Sequence, residues 1–511
     1  MKRLNHLLAS SLLLFASCDN NNDNQVTNPP INTKVNFEYV STIKVGGATS
    51  AEITAFDATT NRLFVVNVEI GGISVYDISN IKETKPVSIL NLNNFGTPNS
   101  VSVNNGILAV AVEANVKQNN GKVALYNTSN LSLIKTYTVG ALPDMVTFTN
   151  NGKYILSANE GEPNPDYTVD PNGSVSIIDI EKETVTTLDF TSFNSQQATL
   201  QEKGFRVFGP NATLAQDVEP EYIAVSNNSK YAWVSLQENN GMAKINIETK
   251  TIEAIYPLGF KNFNIEDNSI DASDKDAVSK LKTWPVYGMY QPDAVVSATI
   301  DGITYIFSAN EGDARDYDTF SEEERCKKLD LDATAFPNAK VLQENEQLGR
   351  LKLTTTLGDT DKDGDYDELY NYGARSFSVW SDNGHLLYDS GNDIALKILE
   401  STPHKFNWDW EDNQADKRSD DKGAEPEAVE ILNIGNERYI LFVGLERNSQ
   451  IMVYDVTQPT APVFLDILEH ECDLAPEGVL SITAKDSPTG NALLVVANED
   501  SGTVSFYENK K

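Results

Sequence analysis

A single acidic phrase recurs along the chain, and its repetition is the feature that could do chemistry. It reads SANEGDARD from Ser308, SANEGEPNPD from Ser157, VSLQENN from Val234, VGLERN from Val443 and VANEDSGT from Val496. Each copy follows a short apolar run. Most are preceded, about 15–25 residues upstream, by a proline–acid pair: Pro143-Asp144, Pro220-Glu221, Pro292-Asp293, Pro426-Glu427 or Pro476-Glu477. The acids so singled out are Glu160, Glu221, Glu238, Glu311, Asp313, Glu427, Glu446, Glu477 and Glu499. Glu219, Asp293 and Glu425 lie beside them, and Glu52 and Glu113 hold comparable places nearer the N-terminus. Carboxylates accompanied by Asn and Gln carbonyl oxygens are the ligands that Ca²⁺, Mg²⁺ or Mn²⁺ prefers. Crowded together they raise one another's pKa and repel, so either cations or basic side chains must neutralise them. Arg315, Arg418, Lys422 and Arg447 lie within the same motifs. The first three are also the candidates for steadying an anionic substrate. The plainer alternative is that the acids hydrogen-bond backbone amides and tie neighbouring repeats together as paired charges.

A second acidic site is local. Asp359, Asp361, Asp363, Asp365 and Asp367 fall in DTDKDGDYD, the D-x-D-x-D-G spacing of a calcium loop, with Gly364 where the turn is tight. Tyr370 stands where such loops carry a bidentate Glu, so Asp367 or Glu368 must substitute. Calcium here would pin a long insertion. The chain has no G-x-S-x-G elbow, Walker A loop, H-E-x-x-H or C-x-x-C, and beyond the N-terminal segment only His385, His404 and His470. That argues against a serine triad or a zinc–histidine site.

The elements that must position these residues are short strands. From Val35 onward, runs rich in Val, Ile, Tyr and Phe alternate with Asn-Gly, Asn-Asn and Asp-Gly turns. Residues 220–258 show one unit of four such runs, and similar units begin near Glu52, Pro98, Pro143, Pro292, Ser376, Pro426 and Pro476. Repeats of about 40–50 residues with four strands each predict a single all-β propeller. Eight units can be counted, or seven if the slight one at 376–399 merges with its neighbour. The first apolar run, 37–45, lies before the first unit and the last unit lacks a fourth strand, so the N-terminal strand should close the ring and leave no long edge. Long interruptions at 189–216, 261–290, 317–349 and 400–423 read as loops or small helices across the disc, with the best helix expected at 270–281. In each unit the residue before the inner strand and the residue after the second strand share one end. The acids should therefore converge on one face near the axis.

At 511 residues and a formal charge of −34, the chain is unsuited to binding nucleic acid through phosphates. Of its three cysteines, Cys326 and Cys472 allow at most one bridge in the body. Residues 1–17 carry Lys2 and Arg3, an apolar run and small residues before Cys18, and read as a lipoprotein signal peptide. Cys18 becomes the lipidated first residue, and 18–36 is a polar tether with a Pro-Pro pair. The folded body, 37–511, is then a monomer held at the cell envelope, on the outer membrane or cell surface, by that lipid.

The motifs SANEGDARDY (308–317), YGARSFSVW (372–380), LLYDSG (386–391), RSDDKGAEPEAV (418–429), APEGV (475–479) and ANEDSGT (497–503) resemble those of the choice-of-anchor I family. FRVFG (205–209), DVEPEY (217–222) and LQENN (236–240) extend the likeness, and Ala424 and Ala428 depart from it where the family tends to have Pro and Gly. The family includes the mesenchyme-specific cell-surface glycoproteins, and members are often labelled alkaline-phosphatase-like. The resemblance implies a propeller displayed outside the cytoplasm on whatever anchor the organism provides. Two functions fit. One is a metal-dependent phosphoesterase, with Ca²⁺ and a second divalent or trivalent metal in the acidic funnel acting on a small phosphorylated molecule. The other is a non-catalytic module for a surface ligand, in which calcium only stabilises the loops.

Overall fold

The apolar runs between the Asn-rich turns pair antiparallel into seven four-stranded sheets in the computed structural model, which describes residues 34–510. Blades 1 to 4 take their strands consecutively, with inner strands Thr54–Asp57, Thr97–Asn104, Pro143–Phe148 and Pro220–Val225. Blade 5 pairs Val295–Ile300 and Ile303–Asn310 with Ser376–Ser381 and Leu386–Asp389 across a long insertion. Blade 6 begins at Pro426–Asn433 and blade 7 at Pro476–Ile482. The slight unit at 376–399 is thus the outer half of blade 5, which brings the count to seven. Each inner strand touches the inner strands on either side, and that of blade 7 meets that of blade 1. The fold is a closed β-propeller.

Closure follows the expected route. Phe37–Lys44 pairs with Thr503–Asn509 as the outermost strand of blade 7, from Phe37 opposite Asn509 to Lys44 opposite Thr503. Strands buried on both faces explain the near-continuous apolar runs: Leu63 to Val66, Leu108 to Val112 and Ile440 to Val443 are all inaccessible to solvent. Each such side chain contributes roughly 1.5–3 kcal/mol by leaving water, and the clusters they form lie between neighbouring blades.

The expected helix at 270–281 does not form. Asp271 accepts from the backbone N–H groups of Ser273 (3.3 Å) and Lys280 (2.6 Å), Asp276 accepts from Val278 N–H (3.2 Å), and Ala277 has φ +63°. Aspartate side chains compete for the N–H groups a helix would need. The longest helix among the described residues, Asp393–Ser401, instead follows the outer strand of blade 5. Residues 258–290 and 311–375 build a cap with its own core around Phe263, Trp284, Phe336 and Leu351. Both segments leave and re-enter the disc at the end where second strands finish and inner strands begin, so the cap sits on that face. Cys326 lies buried in it and Cys472 is exposed elsewhere, both as free thiols. Among the described residues no helix is long and apolar enough to cross a membrane. Cys18 and the signal segment lie outside the described residues.

Candidate functional site

The recurring phrase builds its own support before it presents an acid. In blade 3 the Asn159 amide donates to the hydroxyls of Ser174 (3.2 Å) and Ser176 (3.0 Å), and in blade 5 Asn310 donates to Ser376 (3.2 Å) and Ser378 (2.8 Å). The Asn of S-x-N-E thus binds the second strand to the third, with the motif's Ser donating to the Asn side chain, and the Glu that follows stands at the rim. Its backbone N–H then reaches across to the residue before the proline–acid pair of its own blade. Glu160 donates to Leu142 O (2.8 Å), Glu446 to Glu425 O (2.9 Å) and Glu499 to Ala475 O (2.8 Å).

Those acceptor residues hold left-handed backbone: Leu142 at φ +48°, Glu425 at +54° and Ala475 at +56°. Such a conformation costs a non-glycine residue on the order of 1–3 kcal/mol, and here a hydrogen bond offsets part of it. The proline that follows has no N–H, and the strand bulges at the acid. The pairing register shifts between Pro143 and Met145, between Pro426 and Val429, and between Pro476 and Gly478. A bulge re-aims a side chain that regular pleating would send elsewhere. Asp144, Glu221, Glu427 and Glu477 therefore belong to the first turns of their inner strands, at irregularities, rather than to the residue before each strand.

Tracking both positions round the ring gives a near-complete set. The first is acidic in every blade but blade 2, where Asn99 stands (Glu52, Asp144, Glu221, Asp293, Glu427, Glu477). The second is acidic in five blades (Glu113, Glu160, Glu311, Glu446, Glu499); blade 1 has Val68 there and blade 4 has Gln237, with Glu238 one residue further on. The vacancies at Val68 and Asn99 are neighbours. A cavity of about 490 Å³ opens at the axis, lined by Glu52, Glu113, Asp144, Glu160, Asp293 and Glu477, with Lys117 as its one basic residue. Tyr222 forms part of its wall and also lines the two spaces on the far side, so the ring spans the axis there.

The charges divide the face into two sectors. On the side of blades 5 and 6, Glu425 is surrounded: Arg418 Nη2 lies 2.5 Å from it, Lys422 Nζ 3.1 Å and Arg447 Nε 3.5 Å. Burial opposes its ionisation, but Lys422, Arg418 and Arg447 hold its carboxyl far below the usual range. Lys422 also bonds Glu311 (2.5 Å), which accepts from Gln237 Nε2 at 2.9 Å. Arg315 is enclosed by Asp217 (2.6 Å) and Glu219 (3.0 Å), and the Asp217 carboxylate further accepts the N–H groups of Phe208 and Gly209. All four bases singled out from the sequence, Arg447 included, thus face carboxylates of the protein itself. Arg206, which only the FRVFG likeness touched, is buried beneath: it donates to Glu238 O (2.8 Å) and pairs with Glu322, fastening the cap to blade 4. No spacing rule marks such a pair, because its partners lie far apart in the chain.

The other sector carries more acids than bases, with Lys117 near Glu113 and Glu162 and Arg447 3.4 Å from Glu446. Glu221 and Glu238 are 8% and 6% exposed, and each has one Oε2 with no partner, as has Glu427. Burial, then Glu477 and Glu499, pushes Glu52 up to about 9. Burial, then Glu477 and Glu162, pushes Asp144 to about 7, and burial brings Glu238 and Glu499 to about 7. Glu160, Glu221, Asp293, Glu427 and Glu446 lie well above the ordinary carboxylate range, by burial first and neighbouring acids second. Asp313 is solvent-exposed, with Lys422 the base whose charge acts on it.

Carboxylate oxygens of three residues come within 4.8 Å at Glu311, Glu425 and Glu446, where Lys422 already stands. They do so again in the aspartate loop, as Asp359, Asp361 and Asp367 and as Asp332, Asp365 and Asp367. Asp359 accepts the N–H groups of Asp363 (3.1 Å) and Gly364 (3.2 Å), and Asp363 accepts that of Asp365 (3.2 Å). Glu368 is taken by the Tyr370 hydroxyl at 2.5 Å, leaving Asp367 as the residue shared by both groups. Asp332 comes from a separate segment of the cap and carries no sequence signal of its own.

The choice-of-anchor I domain matches residues 52–459. Gigasin-3a of Magallana gigas is 32% identical over 190 residues, a stretch covering 32% of this chain and 66% of that protein. A chain of hydrazine synthase from Kuenenia stuttgartiensis aligns over 90% of this chain and 95% of its own at 11% identity, with a TM-score of 0.48. A β-propeller domain from Myceliophteria thermophila aligns over 93% and 100% at 9% identity, with a TM-score of 0.45. A domain of the first kind points to a cell surface. With most of the propeller, from Glu52 through blade 6, inside the matched span, the chain belongs to the choice-of-anchor I family.

Proposed function

We propose that this chain is a lipid-anchored, extracytoplasmic propeller whose axial funnel takes up cations, with calcium there and at the aspartate loop, and that it works as a surface-binding module. The observation that carries this reading is the set of orphaned, buried carboxylate oxygens on Glu221, Glu238 and Glu427. A buried carboxylate without a partner is among the costliest arrangements in a fold. A bound cation would ionise the ring and satisfy it together, releasing protons as it enters. Anchoring through Cys18 and the tether would hold the folded body beside a membrane. Metal analysis of protein purified without chelator, with melting curves before and after chelation, tests the reading. Bound calcium and a melting point that drops on chelation are expected; metal-free protein indifferent to added Ca²⁺ would sink it.

A second reading is metal-dependent phosphoester hydrolysis, favoured by the Glu311–Glu425–Glu446 triad with Arg418, Lys422 and Arg447 around it. A metal seated there would require Lys422 to swing away, freeing an ammonium for a phosphoryl oxygen. Turnover of p-nitrophenyl phosphate or its diester with Ca²⁺, Mn²⁺ or Fe³⁺, abolished by Glu311→Gln, would establish it. Absence of turnover with all three leaves the binding module.

A further inference from the structure

We propose that a cleft between the cap and the disc, separate from the axial funnel, is a binding site for a neutral oligosaccharide of pyranose rings. It gives the surface-binding reading of the chain, on which it rests, a ligand class and a place.

The cleft has a volume of about 820 Å³, within the roughly 300–1,000 Å³ of small-molecule sites. One wall is residues 201–208, in the connection from blade 3 to blade 4, and the other is Phe260 with the cap stretch 356–370. Packing fixes both. Phe260–Asn262 pairs with Tyr287–Met289, which pairs in turn with Tyr370–Asn371, and the Phe260 and Tyr370 rings meet at 4.7 Å. Gly204, at φ +95°, lies so near the Phe260 ring that a Cβ there would stand 3.1 Å from it. Arg206 ties the walls together through Glu322 of the cap and Glu238 O of blade 4. Walls held this way are formed before a ligand arrives, so binding carries little ordering cost.

Three features of the lining decide what it accepts. The first is charge. In a chain of −34, the bases Lys203, Arg206 and Lys362 here equal in number the acids Glu202, Asp359 and Glu368. A balanced lining has no net pull on a metal ion, a polycation or a polyanion. The second is an apolar floor of Val207, Phe260 and Leu357, each half-buried. Aromatic faces are electron-rich and favour the edge of a C–H group, and the floor gains by being covered with C–H bonds.

The third is a rim that both donates and accepts. Lys203 and Lys362 offer N–H groups and Glu202 offers oxygens, all exposed. The exposed Thr360 hydroxyl donates to Asp367 at 2.6 Å and keeps its lone pairs for a ligand. Arg206, 2% exposed, lines the cleft with its Nε unpartnered, while Nη1 and Nη2 are turned to Glu238 O and Glu322. A pyranose meets both demands, with flat C–H faces for the floor and an edge of hydroxyls that donate and accept. A fatty chain would leave the rim unmatched, and a small ion would leave the floor uncovered. Asp359, Thr360 and Lys362 belong to the aspartate loop, so that loop forms one lip of the cleft.

Saturation-transfer NMR on the full folded chain tests the proposal, with cellotetraose, maltotetraose, mannotetraose, laminaritetraose and chitotetraose as probes, in Ca²⁺ and in chelator. Saturable transfer to the ring C–H protons of at least one is expected, with an affinity that salt does not change. Phe260→Ala should weaken it about tenfold or more. Lys203→Ala with Lys362→Ala, both at exposed positions, should weaken it about tenfold at an unchanged melting temperature, which separates a lost contact from a lost fold. Lys485→Ala, at an exposed turn of blade 7, is the control. No saturable transfer to any probe, wild-type affinity in the lysine pair, an equal loss in the control, or binding that falls steeply with salt overturns the proposal. Calcium analysis of the same preparations separates this site from the reading beneath it. Protein that carries calcium yet gives no transfer refutes the sugar cleft and leaves the calcium-bearing module. Transfer from metal-free protein indifferent to added Ca²⁺ keeps the cleft and sinks the calcium reading.

Discussion

Glu425 and Glu427 flank one proline and meet opposite electrostatics. Glu425 accepts from Arg418, Lys422 and Arg447, whereas Glu427 has an orphaned oxygen and, beyond its burial, faces Glu477 and Glu446. Their amide variants should therefore move stability in opposite directions. Glu425→Gln strands three cations and should cost about 3–5 kcal/mol in urea denaturation, the usual consequence of removing one partner of a buried ion cluster. Glu427→Gln removes an uncompensated acid and should raise the melting temperature of chelated protein. Equal destabilisation by both would show that the ring is internally neutralised, as the plainer reading of the acids holds. That contrast could not be read from the chain, where the two are the same residue type two positions apart.

At the scale of elements, the strand Phe37–Lys44 and the aspartate loop each carry a specific expectation. Ile43 is buried among Ala51, Leu63, Val65 and Phe506, where blade 7 meets blade 1. Ile43→Ala should cost about 2–5 kcal/mol and, by loosening the closing strand, expose the Thr503–Asn509 edge to proteolysis. An unchanged digestion pattern would mean that closure does not depend on this strand. In the aspartate loop, Asp367 belongs to both carboxylate groups. Calcium at 100 times its dissociation constant adds about 2.7 kcal/mol to the native state. Asp367→Ala should abolish the share of calcium stabilisation that belongs to the cap, seen as reduced Ca²⁺ protection in hydrogen exchange of 320–370. Undiminished protection would remove the ion from the loop.

For the whole molecule, the raised carboxyls set a pH dependence. Each of these acids has its folded-state pKa above the ordinary value, Glu52 reaching about 9 and Asp144, Glu238 and Glu499 about 7. Between those limits the native chain keeps protons that the unfolded chain has lost. Stability therefore falls as pH rises. Chelated protein should melt progressively lower from about pH 4.5 to pH 9, and added Ca²⁺ should reverse the loss most strongly at the alkaline end. A melting temperature that is flat or rises over this interval in chelator would mean that the acids are ionised and paired in the metal-free fold.

The chain alone determined the architecture and the place of the acids within it. Strand-length apolar runs, turn residues and a repeat of about forty to fifty residues leave little besides a propeller, and antiparallel pairing of consecutive strands is local enough to put both acid positions at one end. The ring closure by Phe37–Lys44 was legible for the same reason, as an unpaired strand before the first repeat and a missing one in the last. What the tertiary structure decided was compensation. Whether Arg315 reaches Asp217, Lys422 reaches Glu311 and Arg206 reaches Glu322 depends on contacts across 98, 111 and 116 residues, set by blade packing and the cap rather than by spacing. The helix expected at 270–281 failed on a similar ground, since Asp271 found Lys280 N–H instead of a helical partner. Local pattern positions a carboxylate; only the folded surroundings determine whether it stands beside a base, beside another acid or at the edge of a cavity.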